Sequence, residues 1–130
     1  MIHQLLAEFM GTALMIIFGV GVHSDEVLKG SKYRGSGHLF AITTWGFGIT
    51  VSLFIFGDVS INPAMVLAQC ILGNVSWAMF IPYSVAEVLG GVVGAVIVYI
   101  MYADEFKASE GKVNPVSVRN NYTTAPGNPK

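Results

Sequence analysis

The residues with chemistry to offer are Asn62-Pro63-Ala64, two acidic side chains isolated in apolar surroundings, Glu8 and Glu87, and Trp45 within a run of glycine and phenylalanine. Asn62 is a preferred helix N-cap, and Pro63 fits the first helical position, where its missing N–H goes unused. A helix N-terminus carries roughly half a positive charge and unpaired N–H groups. If the Asn62 oxygen caps those groups, its NH2 is left to donate to passing oxygens. Such a site favours neutral, oxygen-bearing solutes and repels cations, hydronium included. An acidic residue at the centre of a membrane span costs roughly 2.5 to 3.5 kcal/mol on insertion scales. Glu8 and Glu87 therefore need hydrogen-bond donors or a place near hydrated surface. Acid–base catalysis inside a membrane is the competing use of the pair. Neither a nucleophile–base pair nor a metal-ligand set accompanies them, so the expectation is no enzyme, no metal and no cofactor. Trp45 can line a constriction or act as an interfacial anchor, which is where tryptophan is commonest.

The elements that must position these residues follow from the charge distribution. Charged residues make up 12% of the chain, against about 25% in ordinary soluble domains. They cluster in residues 25–34 and 104–130, leaving Glu8, Asp58 and Glu87 alone in apolar surroundings. A formal charge of −1 leaves no electrostatic footprint for nucleic acid. The single cysteine, Cys70, excludes an intrachain disulfide and reads as a small apolar packer. The apolar blocks 4–23, 38–57 and 80–102 are each about the ~20 residues a helix needs to cross hydrocarbon. A signal peptide is a poor reading of the first block, because residues 1–5 contain no lysine or arginine. Residues 104–130 read as a polar loop or disordered tail, and Asn114-Pro115-Val116 within it as a turn.

Residues 62–73 fit none of the spans. They are apolar but reach only about half the hydrocarbon thickness as helix, with Asn62-Pro63 as start and Gly73-Asn74 as stop. Backbone that turns back at membrane depth is tolerated where protein buries it or where it lines a water-filled cavity. A re-entrant half-helix thus points to a pore; a helix lying flat at the interface is the alternative. Gly90 and Gly94 form a small-xxx-small pair suited to close helix packing, and Ala7 with Gly11 reads the same way. His23 and His38 read as single interfacial residues. The acceptor-like tripeptides at Asn74 and Asn121 are too common by chance to weigh.

Asn62-Pro63-Ala64, opening a half-length apolar helix after two spans and before a third, resembles the N-terminal half of the aquaporin and glycerol facilitator (major intrinsic protein) family. Residues 7–12, Ala-Glu-Phe-Met-Gly-Thr, look like the family's first-helix signature, and Phe18-Gly19-Val20-Gly21-Val22 like its glycerol-channel branch. Trp45-Gly46-Phe47-Gly48 is similar to the second-helix stretch that holds an aromatic filter residue. Gly90, Gly91 and Gly94 fit the glycine-rich third helix, and Thr124-Ala125-Pro126 the loop after it.

The resemblance implies an all-α membrane protein: three transmembrane helices plus one re-entrant half-helix, half of a six-helix inverted-repeat channel. In it Asn62, Pro63, Ala64 and Trp45 would serve the pore, and Glu8 and Glu87 would be structural carboxylates, Glu8 accepting hydrogen bonds from the re-entrant loop. Implied partners are the lipid bilayer, glycerol, water and other small neutral solutes, and a homotetramer for the complete protein in the cell membrane. The 130 residues hold one half, so the expectation is a chain that conducts only when the C-terminal half is supplied. A non-conducting product that only assembles with full-length channels is the alternative. The chain also departs from the family: Gly57-Asp58-Val59-Ser60-Ile61 lacks the usual histidine before the tripeptide, and Glu87 stands where glutamine is frequent. Lysines and arginines after the first and third spans would place those segments in the cytoplasm, whereas the family places both outside; the family reading is preferred.

Overall fold

The computed structural model describes residues 1–123, so Thr124-Ala125-Pro126 lies outside the described residues. The regular elements of the described residues are all helices, three of them long and apolar enough to cross a membrane. The first, α1 (Ile2–Val27), is 26 residues, about 39 Å long at 1.5 Å per residue. It outruns the expected 4–23 at both ends. Ser24, Asp25 and Glu26 end the apolar block without breaking the helix, and the chain leaves only at Leu28, which is extended. The second, α2 (His38–Phe56), stops at Gly57, and α4 (Phe80–Met101) follows a single 3-10 turn at Trp77–Met79.

Helix α1 is the middle of the bundle, packed on α2 along one side and on α4 along the other. Across its most apolar window 39% is buried, against 17% for α2 and 22% for the third span. The α1–α4 contact depends on glycine. A Cβ on Gly90 would stand 2.2 Å from the Phe9 carbonyl oxygen, and one on Gly94 2.6 Å from that of Ala13. Backbone therefore meets backbone, which side chains of any size would prevent. The outward faces are apolar, with Phe54 90% and Ile100 67% exposed, as suits contact with lipid or further protein and not water.

Between α2 and α4 lies the short helix α3 (Pro63–Ile71), nine residues or about 14 Å, packed against α4. Its far end is closed at Gly73 (φ 78°), after which the Asn74 N–H returns to the Gln69 carbonyl at 3.0 Å.

The expectation of an irregular tail needs correction. Residues after α4 form α5 (Ala103–Ser109) and α6 (Pro115–Arg119). Asp104 and Glu105 in the first turn of α5 and Lys107 in its last complement the helix dipole. Asn114 caps α6, its side-chain oxygen accepting the Val116 N–H at 2.9 Å, so the turn expected there is the start of a helix. Ser109 ties α5 to the first connection by accepting the Lys29 N–H at 2.7 Å. Asn121 is 2% exposed, a poor position for modification.

Candidate functional site

Asn62 is the N-cap of α3 in extended conformation, with Pro63 at the first helical position. Its side-chain oxygen accepts the Ala64 N–H at 2.9 Å, so the amide NH2 is the end left for other partners. The chain before it is held by carboxylates from two different helices. Glu8 on α1 accepts the Ser60 N–H at 2.9 Å on both oxygens and the Ile61 N–H at 2.9 Å on Oε2. Glu87 on α4 accepts the Asn62 N–H at 2.8 Å. Both are 1% exposed. Three successive backbone donors thus meet side-chain acceptors, where a loop at this depth would otherwise leave them bare. The second oxygen of Glu87 is buried without a partner among the described residues.

Ile61 pays for this arrangement in backbone strain. Its φ is 47°, a left-handed conformation that a β-branched residue rarely adopts and that costs about 1 to 3 kcal/mol. The Glu8 bond and burial against Gly11, where an added Cβ would come within 3.0 Å of Ile61 Cγ2, hold it there.

Two neighbouring hollows open beside this turn. A polar one of about 350 Å³ is lined by Asp58, Ser60, Gln69 and Asn74. A more apolar groove of about 300 Å³ follows, lined by Met15, Ile49, Leu53, Ile61, Asn62 and Met65. Val59, Ser60 and Gln69 border both. Trp45 lies one helical turn beyond Ile49 and two beyond Leu53 on the same face of α2. Its indole N–H donates to His23 Nε2 at 3.0 Å. The structure therefore brings Asn62, Glu8 and Glu87 together at one turn and puts Trp45 farther along the same face. His23, expected as a single interfacial residue, is the partner of Trp45. The only available signal was the four-residue spacing from Gly19 to His23, which puts both on one face of α1.

Three apolar spans and a half-length helix whose capped tip opens onto a groove define an all-α membrane fold. The chain belongs to the major intrinsic protein family, whose model matches residues 1–126. It is 80% identical over 126 residues to glycerol uptake facilitator protein 4 of Lactiplantibacillus plantarum, covering 97% of this chain and 53% of that protein. It is 76% identical, with the same coverage, to the D/L-lactic acid transporter of that organism. A probable glycerol uptake facilitator of Thermotoga maritima is 38% identical over 108 residues, 81% of this chain and 46% of that one. The chain spans about half the length of these curated relatives.

Proposed function

We propose that this chain is the N-terminal half of a glycerol and water channel that passes small uncharged solutes down their gradients across the cell membrane. Asn62 is the orienting residue: the half-helix dipole and the free amide NH2 face a solute oxygen, and the same positive field opposes cations. Pro63 and Ala64 set the first turn, and Trp45 limits the width. Glu8 and Glu87 act as structural acceptors that keep the turn at depth. No step uses a cofactor or covalent chemistry. The complete protein assembles as a homotetramer with a pore in each subunit. The observation that carries this reading is the capped tip of α3 opening onto a groove while two buried carboxylates hold the preceding turn.

A second solute is favoured by the name of the 76%-identical relative, a D/L-lactic acid transporter. Protonated lactic acid is neutral, small and rich in oxygen, so it satisfies the same donor. The test joins this chain to the remaining length of the 80%-identical relative and measures the swelling of reconstituted vesicles in glycerol, and the uptake of lactic acid at acid and neutral external pH. Flux well above empty vesicles, lost in Asn62→Ala, is expected. Vesicles holding only the 130-residue chain are expected to match empty ones, because the tip of α3 would lack its counterpart at the midplane. Equal flux through the parent and Asn62→Ala would remove Asn62 from the pore.

A further inference from the structure

On α1, Met15, Gly19 and His23 succeed one another at four-residue spacing, and Trp45, Ile49 and Leu53 do the same on α2. Met15, Ile49 and Leu53 line the groove beside Asn62, and Gly19, His23 and Trp45 lie one and two turns farther along the same two helix faces. Between the two rows the indole crosses directly onto α1. A Cβ on Gly19 would stand 2.2 Å from Trp45 Cζ2 and 2.3 Å from Cε2 and Cη2, so the six-membered ring occupies the volume that any other residue would fill. One turn along, His23 Nε2 accepts the indole N–H at 3.0 Å, with the ring centroids 6.1 Å apart and the planes at 54°. An imidazole that accepts at Nε2 carries its proton on Nδ1 when neutral, and here Nδ1 lies on the side of Glu26, 3.9 Å from Oε2.

We infer that Gly19 and His23 form a two-point seat on α1 that fixes the Trp45 ring, and that His23 is a positioning residue for the width of the solute path. Gly19 lets the ring in; His23 stops it from turning. The indole N–H, a donor with a single proton, is committed to His23 and is withheld from the solute. Trp45 then offers ring carbon to the groove and leaves oxygen recognition to Asn62. Selectivity at this level comes from a fixed wall. The last consequence rests on the channel reading above, whereas the seat itself does not.

The chain contains two tryptophans, so Trp77→Phe leaves Trp45 as the single indole. In that background, in detergent micelles, the indole N–H resonance and its exchange with deuterium report the bond to His23. His23→Leu is expected to move the resonance upfield and to speed exchange about tenfold, His23→Gln, which keeps an acceptor, to restore both, and Gly19→Ala to reproduce His23→Leu although His23 is intact. Because alanine is the better helix former, Gly19→Ala perturbs the ring and not the helix. An unchanged resonance in His23→Leu overturns the seat. In the joined channel, the flux ratio of glycerol to a five-carbon polyol is expected to fall about fivefold in His23→Leu, the weight of one hydrogen bond, and to recover in His23→Gln. A ratio unchanged while the resonance moves overturns the role in width. A parent channel that passes no solute defeats the proposed function, and the resonance still decides the seat.

Discussion

Asn62-Pro63 and Asn114-Pro115 begin helices by the same local physics. In each, the asparagine oxygen accepts the N–H two residues on at 2.9 Å and proline takes the first helical position. What surrounds them differs. Before Asn62, donors at residues 60, 61 and 62 are held by buried carboxylates from α1 and α4, and the helix continues for nine residues beside a groove. Asn114 opens a five-residue helix in a polar segment. A capping dipeptide therefore sets where a helix starts, and the long helices around it decide whether that start is surface punctuation or a site.

Glu8→Ala should widen the gap between the two caps most. It strips the partner from two N–H groups in a turn buried by α1, at about 1 to 3 kcal/mol for each, so a loss of about 2 to 6 kcal/mol is expected in denaturant unfolding of the chain in micelles followed by circular dichroism. A loss no larger than that of an Asn114 variant would break the comparison. Gly90→Ala comes next: it pushes α4, and with it Glu87, away from α1, and about 1 to 3 kcal/mol of overpacking is expected in the same measurement. Asn62→Ala should cost about 1 kcal/mol as a lost cap. Its larger signature is loss of flux in the joined channel. Asn114→Ala sharpens the contrast from the other side, with about 0.5 kcal/mol or less in unfolding, at the low end for a lost cap, and unchanged solute flux. A flux defect there equal to that of Asn62→Ala would mean that context adds nothing.

Much of the architecture was readable from the order of residues. Apolar runs marked the spans, and Asn62-Pro63 with Gly73 bounded the half-helix to within two residues of Pro63–Ile71. The polar composition of the tail hid two short helices, α6 capped by Asn114 and α5 with acidic residues in its first turn and Lys107 in its last; composition reports the cost of burial, while caps and charge placement decide local geometry. Glu8 and Glu87 stood out in the sequence as costly, but nothing local states that side chains from α1 and α4 meet the same turn. The Trp45–His23 bond was hidden for the same reason, since it joins helices through residues 22 positions apart. Ile61 gave no sign at all: a branched residue is the wrong type for φ of 47°, and only the surrounding packing explains it.

The turn at Ile61 also ties together parts of the chain that are far apart in order of synthesis. Its N–H groups are satisfied from α1, which precedes it, but the Asn62 N–H waits for Glu87, which is synthesised 25 residues later. Without α4 the half-helix has only one of its two anchors. Completion of this turn thus depends on the last span of the half as much as on the first.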